Sequence, residues 1–331
     1  MELEKFDMQK MKTDAIVLLI GKRRTGKSVL TTDILYNHRH KFPICIVMSG
    51  TEESNEHYKE MIPEWFIYSD FDSKAIQQIL QRQKDVINSN KEKLSKILRR
   101  DTYEDMQNRR VFKILKHISK RYDISLKRLV KDYLPGVDKS RLKKPPNYSQ
   151  SVLQQYCEDP SLFLLLDDCI YDENTLKKDI GLKYIYSNGR HLKLCFLVTS
   201  QSPMALSPFQ RNNCDYVFVF KENIMENRKK LHKHYFGCFP SFKVFEAVFD
   251  QCTQNYECLV LDNTTSSTKL QDCVFWYKAE LHDTFRTCAP EMWERPHLPE
   301  VEECRPLTPP PEEKKSYSRT KKKDMKVVKK S

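Results

Sequence analysis

The sequence predicts an α/β fold whose mostly parallel β-sheet carries helices on both faces. Short, uniformly apolar runs recur along the chain, and such runs form strands that are buried on both sides. Segments with apolar residues at three- and four-residue spacing, which are typical of amphipathic helices, follow several of these runs. The 331 residues are enough to bury a large core.

Six runs are predicted to be strands: 15–20, 43–50, 162–168, 192–201, 216–220 and 257–263. A helix is predicted from residue 28 to 38, directly after the first strand. Residues 74–133 contain no Pro or Gly, and an apolar stripe predicts helical structure there: Ile76, Ile79, Leu80, Ile87, Leu94, Ile97 and Leu98. We therefore predict one domain over 1–295 with a basic helical insertion at 76–156. The Pro- and Lys-rich residues 296–331 are predicted to be disordered.

The net charge of +12 is unevenly distributed along the chain. Residues 82–144 carry +12 and residues 305–331 carry +7, so the remainder is slightly acidic. Two strongly basic segments in an otherwise slightly acidic chain favour a polyanionic partner, most commonly nucleic acid. The alternative that stays open is that these charges only face solvent, on helix surfaces and in a tail that they keep soluble.

Several classes of protein are disfavoured by composition. No apolar run reaches the roughly 18 residues of a membrane span, so no membrane partner is expected. The charged N-terminal residues lack the apolar core of a secretory signal. The 11 cysteines include no CxxC pair, which argues against a disulfide framework and a zinc site. A reducing compartment, cytosolic or nuclear, is expected.

A glycine-bounded loop, "GKRRTGKSVL", joins the first strand to its helix and matches the phosphate-binding pattern GxxxxGK[ST]. Glycines let backbone N–H groups wrap around phosphate oxygens, and the chain has only 7 of them. Lys27 is expected to reach the β- and γ-phosphates of ATP, and the hydroxyl of Ser28 to bind Mg²⁺. The nucleotide-binding residues are predicted to be Gly21, Lys22, Arg23, Arg24, Thr25, Gly26, Lys27, Ser28 and Val29.

The apolar run "LFLLLDD" ends in two carboxylates, Asp167 and Asp168. After a phosphate loop, we expect Asp167 to hold Mg²⁺ and Asp168 to polarise the attacking water. Asp at a strand end also serves as a turn or helix cap, which is the structural alternative.

Three further side chains are candidate catalytic groups. Gln201 ends the next predicted strand, where it could contact both the γ-phosphate and the water. Arg190 or Arg211 is predicted to supply the guanidinium that neutralises charge developing on the γ-phosphate. His191 is interpreted as a local hydrogen-bonding residue. All candidate sites are expected to share the carboxyl edge of the sheet.

These motifs, in the order GKRRTGKS, LFLLLDDC, NGRHLKLCFLVTSQ and QRNNCDYVFVFKE, resemble the genome-packaging ATPases of poxvirus-type large double-stranded DNA viruses. Those proteins belong to the FtsK/HerA superfamily of P-loop ATPases. The resemblance covers roughly 13–222, without much of 76–156. One departure is Asp168, where many superfamily members carry Glu.

The resemblance implies a P-loop NTPase of the RecA-like, ASCE type. It implies an ATPase that moves viral double-stranded DNA, without reading its sequence, into a preformed capsid. It also implies a homo-oligomeric ring in which the arginine acts on the neighbouring subunit. Capsid proteins are a further candidate partner, and the host cytoplasm or nucleus, where virus particles assemble, is the expected location, with the virion as a further one.

Two other functions stay open at this point. A nucleotide or nucleoside kinase could use the helical insertion as a lid, although the two carboxylates and Gln201 fit hydrolysis better. A nucleotide-gated DNA-binding protein would bind ATP without turnover. A GTPase is disfavoured because the chain has no NKxD sequence.

Overall fold

The computed structural model describes residues 2–99, 103–137, 142, 157–169, 173–267 and 269–294. These residues belong to one compact unit, Met1–Glu294. A second unit, Arg295–Ser331, lies outside the described residues, as does the predicted tail at 296–331.

One eight-stranded sheet forms the centre of the domain, in the order β3-β2-β4-β5-β1-β6-β7-β8. All neighbouring pairs are parallel except those that β7 makes with β6 and β8. The predicted α/β fold with a mostly parallel sheet is confirmed. The strands are β1 Ile16–Ile20, β2 Ile44–Ser49, β3 Ile67–Tyr68, β4 Leu162–Asp167, β5 Leu194–Ser200, β6 Tyr216–Val219, β7 Glu257–Asp262 and β8 Val274–Lys278.

Two of these strands were not predicted. β3 is only two residues long, too short to show a period, and β8 lies at the sheet edge with a mixture of aromatic and polar residues. Both pair at the margins of the sheet, where burial on both faces is not required.

The described α-helices are α1 Lys27–His38, α2 Glu52–Asn55, α3 Ser73–Arg99, α4 Tyr103–Tyr122, α5 Leu126–Tyr133, α6 Glu173–Lys178, α7 Ile180–Asn188, α8 Pro208–Asn212, α9 Met225–His234, α10 Phe242–Cys252 and α11 Leu270–Cys273. Short 3-10 helices occupy Met8–Lys10, Glu64–Phe66, Gly189–Leu192 and Pro290–Trp293. A search of the described helices finds none with the length and apolarity of a membrane span.

Apolar side chains of the sheet pack on both of its faces. In β1, Ile16, Leu18 and Ile20 belong to one buried cluster, and Val17 and Leu19 belong to another. Successive side chains of a strand point to opposite faces, and apolar clusters cover both faces of the sheet, so all five are buried. Layers of helices on both sides therefore hold the strand ends, and the loops that follow them, in place.

The region predicted as one helical insertion, 76–156, has two parts. Ile76, Ile79 and Leu80 of α3 pack into the main core, and Gln83 donates to the Leu192 carbonyl at 2.8 Å. Helices α4 and α5 instead pack around a separate small cluster that includes Leu115. The first turns of α3 are thus part of the main core, while α4 and α5 pack around a separate core of their own.

After β8 the chain returns to α1. Asp33 of that helix is fully buried and accepts hydrogen bonds from Tyr277 Oη at 2.7 Å and His282 Nε2 at 2.6 Å. The His282 ring also stacks on Tyr36, with ring centroids 3.7 Å apart. These contacts attach residues 279–294 to the helix that begins at the phosphate loop.

Candidate active site

The glycine-bounded loop connects β1 to α1 and requires its two glycines for different reasons. Gly26 has φ 105°, in the left-handed region that favours glycine, and it is the N-cap of α1. A Cβ on Gly21 would lie 2.6 Å from Thr25 Oγ1 and 2.9 Å from Phe220 Cβ. The backbone at Gly21 therefore lies too close to Thr25 and Phe220 to accommodate a side chain, and such close packing is what a phosphate-binding loop requires.

Lys27 lies inside the loop rather than in solvent. Its side chain is buried, and its ammonium donates to the Gly21 carbonyl oxygen at 2.7 Å. Burial lowers the pKa of Lys27, while the Asp168 and Asp167 carboxylates oppose that shift. The ammonium lies 4.0 Å from Asp168 Oδ1, so the loop and the acidic strand end meet directly.

The remaining loop positions differ in their environment. Lys22 pairs with the buried carboxylate of Glu222 at 2.6 Å, whereas Arg23 and Arg24 are exposed. Arg24 has φ 63°, which closes the turn of the loop. Thr25 lies in the same turn and donates to the Lys22 carbonyl at 2.7 Å, while Ser28 and Val29 are exposed in the first turn of α1.

Two hydroxyl groups hold the carboxylate of Asp167, at the end of β4. Thr199 Oγ1 donates to Asp167 Oδ1 at 2.8 Å, and Tyr58 Oη donates to Oδ2 at 2.8 Å. Burial, followed by the charge of Asp167, raises the pKa of Tyr58 well above its ordinary value, so this hydroxyl keeps its proton. The first acidic residue is therefore fixed in orientation and acts as a hydrogen-bond acceptor.

Asp168 turns away from the strand toward the loop. Its φ of 49° is left-handed, and its amide donates to Thr199 Oγ1 at 3.0 Å. Gln201 Nε2 donates to Asp168 Oδ1 at 3.2 Å. The structure thus brings together Lys27, both aspartates and Gln201 at the carboxyl edge of the sheet.

The expectation that all candidate residues share this edge is wrong for the two arginines. Arg190 precedes β5 and Arg211 precedes β6, so both lie at the opposite ends of parallel strands. Arg190 pairs with Asp215, whose carboxylate accepts from the Ile16 amide at the start of β1. The length of β1, about 13 Å, separates this pair from the loop.

The two arginines also differ in accessibility. The Arg190 side chain is 62% exposed, while Arg211 is buried and donates to the Leu206 carbonyl at 2.5 Å. His191 is exposed beside Arg190. Neither guanidinium is positioned to touch a nucleotide in the loop of its own chain.

Sequence reasoning missed four residues around the site: Glu52, Tyr58, Thr199 and Glu222. Thr199 carried a signal, because it is a polar residue inside an apolar strand and β5 pairs with β4. Tyr58 and Glu52 follow β2 in a segment whose apolar residues show no regular spacing. Glu52 Oε1 accepts from the Tyr58 amide at 2.9 Å, and its Oε2 is buried with no hydrogen-bond partner among the described residues.

Strand order and loop geometry together define the class of this protein. Strand β5 lies between β1, which carries the phosphate loop, and β4, which carries the acidic pair. The fold is that of a P-loop NTPase, in agreement with the predicted fold class.

The chain belongs to the same family as the uncharacterized protein L437 of Acanthamoeba polyphaga mimivirus, with 31% identity over 278 residues, 84% of this chain and 77% of that protein. The uncharacterized protein 088R of Invertebrate iridescent virus 3 is 28% identical over 263 residues, 80% of this chain and 75% of that protein. These relatives come from large DNA viruses, in agreement with the resemblance. No protein-family model matches the chain.

Two solved structures are similar at low identity. The genome packaging NTPase B204 from Sulfolobus turreted icosahedral virus 2, in complex with AMP, has a TM-score of 0.46 at 14% identity, over 82% of this chain and all of that chain. The pCW3 conjugation coupling protein TcpA has a TM-score of 0.41 at 11% identity, over 83% of this chain and 61% of that chain. Both scores are below 0.5, so the fold is assigned from the strand order and the loop.

Proposed function

We propose that the protein hydrolyses ATP with Mg²⁺ and uses the energy to move viral double-stranded DNA into capsids. The contact between Lys27 and Asp168 carries the proposal of hydrolysis, because the ammonium of the loop lies 4.0 Å from a carboxylate that could orient water. The membership of a family found in large DNA viruses supports the viral setting. The work would take place in the host cytoplasm or nucleus, where virus particles assemble.

The residues divide the chemistry between them. The loop from Gly21 to Val29 would bind the phosphates, with Lys27 exchanging its bond to the Gly21 carbonyl for the γ-phosphate. Asp168 would accept a hydrogen bond from the attacking water. As water adds to the γ-phosphorus, the bond to the β,γ-bridging oxygen breaks, ADP leaves and the water proton passes to Asp168 or solvent. Gln201, which bonds Asp168, would sense whether the γ-phosphate is present.

The donor set fits Mg²⁺. This ion prefers oxygen ligands and is usually held by one or two carboxylates together with substrate phosphates. Ser28 and Asp167 provide a hydroxyl and a carboxylate at the loop and the facing strand end, and no larger cluster of His, Cys, Asp and Glu occurs among the described residues. When bound, the ion would neutralise charge on the phosphate oxygens.

The position of the arginines supports an assembly of several copies. Because Arg190 lies at the sheet edge opposite its own loop, it can reach a nucleotide only across a subunit boundary. It is the better candidate of the two, since its side chain is 62% exposed and that of Arg211 is buried. We therefore propose a homo-oligomeric ring in which Arg190 acts in trans. Capsid proteins are a further proposed partner.

Hydrolysis is tested by phosphate release from ATP, with and without duplex DNA, on fractions separated by gel filtration. We expect stimulation by DNA in the oligomeric fraction and loss of at least 10³-fold on Lys27→Ala, an estimate from removal of a γ-phosphate contact. Lys183→Ala, an exposed lysine of α7, is the matched control and should leave the rate unchanged.

The outcomes separate the competing functions. Transfer of the γ-phosphate to a nucleoside or nucleotide, rather than to water, would identify a kinase. Tight ATP binding without phosphate release would identify a nucleotide-gated DNA-binding protein. A rate that is the same with and without DNA in every oligomeric fraction would refute coupling to translocation.

Action in trans is tested by mixing wild-type protein with Arg190→Ala in increasing proportion. We expect activity to fall more steeply than the mutant fraction, because each variant subunit also disables its neighbour. A linear decrease would refute a finger shared between subunits.

A further inference from the structure

Helices α4 and α5 form a hairpin with a hydrophobic core of its own. The side chains buried in this core are separate from both clusters of the main sheet: Leu115 lies on α4, Leu129 and Val130 lie on α5, and Leu134 and Leu142 follow α5 in the chain. We call residues 107–137 the basic hairpin. Because its helices hold each other together, its outward faces are not needed to pack against the ATPase core.

Over residues 107–122, the outward face of α4 carries a stripe of positive charge. Residues 107–122 contain six Lys or Arg and no Asp or Glu. Val111, Leu115 and Ile118, at i, i+4 and i+7, face the hairpin core. The cationic positions fall on the opposite face at i, i+3, i+10 and i+11, and they are the exposed Arg110, Lys113, Lys120 and Arg121.

Lys113 and Lys120 form no ion pair with the described residues, whereas other exposed lysines of this protein do. Lys59 pairs with Glu56 at 2.5 Å, and Lys229 pairs with Glu226 at 2.9 Å. Like charges at i,i+3 spacing, such as Arg110 and Lys113, destabilise a helix. Because these like charges weaken the helix itself, their presence favours a partner of opposite charge that binds them.

The chemistry of the stripe favours a polyanion over a protein surface. Lysine is depleted in the buried centre of protein–protein interfaces, where aromatic residues are enriched. Along α4 the large exposed apolar side chains are Ile114, at 58% exposed, on the flank of the stripe, and Tyr122, at its C-terminal end. Arg110 and Arg121 are eleven residues apart, about 16 Å along the helix. Duplex DNA presents about five phosphates per strand over that distance.

We propose that the outward face of α4 binds the phosphate backbone of duplex DNA without reading its sequence. The proposal rests on the proposed function in one respect, the choice of DNA among polyanions. Lysine and arginine at these positions would displace condensed counterions, so each contact adds about 0.9 to the salt dependence of binding.

The test is fluorescence anisotropy of a labelled duplex of about 30 base pairs, titrated at several salt concentrations with a non-hydrolysable ATP analogue. Lys113→Gln with Lys120→Gln should lower the slope of log K against log salt by about 1.8 and the affinity about 60-fold at 0.1 M salt. Two unrelated sequences should lose affinity equally. Glutamine keeps the helix propensity of lysine, so the fold is preserved.

The control is the double variant Lys183→Gln with Lys243→Gln, which removes two exposed lysines from α7 and α10. It should bind DNA like the wild type. Equal losses in the two double variants, an unchanged slope in the first, or no binding by the wild type would each overturn the proposal. Phosphate release without DNA is measured in parallel. If the protein binds DNA through α4 but does not hydrolyse ATP, the proposed function fails and this inference stands.

Discussion

Replacing Tyr58 with Phe tests the hydrogen bond that fixes Asp167. The substitution removes only the hydroxyl, whose oxygen lies 2.8 Å from Asp167 Oδ2, and it keeps the ring that packs in the core. Tyr58 is 1% exposed, so water cannot readily replace the lost donor. The backbone bond from Tyr58 to Glu52 is unaffected.

The expected cost follows from the charge of the acceptor. A buried hydrogen bond to a charged group contributes about 1.5–3 kcal/mol, against about 0.5–1.5 kcal/mol for a neutral acceptor. Tyr235 provides the neutral comparison, because its hydroxyl donates to the Pro203 carbonyl at 2.8 Å. Tyr58→Phe should therefore lower the free energy of unfolding by roughly twice as much as Tyr235→Phe.

Urea denaturation followed by tryptophan fluorescence measures both variants, in the absence of nucleotide. A second measurement is the Mg²⁺ concentration at half-maximal ATP hydrolysis, which should rise for Tyr58→Phe and stay unchanged for Tyr235→Phe. The reasoning is refuted if Tyr58→Phe costs less than about 0.5 kcal/mol or no more than Tyr235→Phe.

Three other substitutions test the remaining contacts. Gly21→Ala should lower the free energy of unfolding by about 1–3 kcal/mol and weaken nucleotide binding, because its Cβ would lie 2.6 Å from a side-chain oxygen of the same loop; unchanged calorimetric binding of ATP would contradict this. Thr199→Val removes a donor to Asp167 and should reduce kcat more than nucleotide affinity, so a change in KM alone would count against it. His282→Ala removes a bond to the buried Asp33 and should cost about 1.5–3 kcal/mol, with faster proteolysis within 279–294; equal cleavage rates would exclude this attachment.

Much of the site could be predicted from local sequence. The loop from Gly21 to Ser28 combines fixed spacing with a flanking strand and helix, and Asp167 and Asp168 end an apolar run. The register of parallel strands then brings their carboxyl ends to one edge, which is why Gln201 meets Asp168. Such features depend on residues close together in the chain.

The remaining parts of the site depend on contacts that are distant in sequence. Tyr58 lies 109 positions before Asp167, in a segment with no period, and meets it only because β2 and β4 are neighbours. The sequence predicts that Lys22 binds nucleotide, but in the structure it pairs with Glu222, which lies 200 positions later in the chain. The division of the helical insertion between the main core and the basic hairpin also required the packing of α3 to be known.

The sequence by itself determined the fold class and the positions of the glycine-bounded loop and the acidic strand end, because strand burial and loop conformation depend on neighbouring residues. Only the tertiary structure decided what holds Asp167, which loop cation is neutralised and where the arginines lie. Arg190 and Arg211 both precede strands, and the parallel sheet therefore puts them at the edge opposite the loop. A linear sequence gives the order of groups along the chain, whereas strand direction and side-chain packing determine which groups meet.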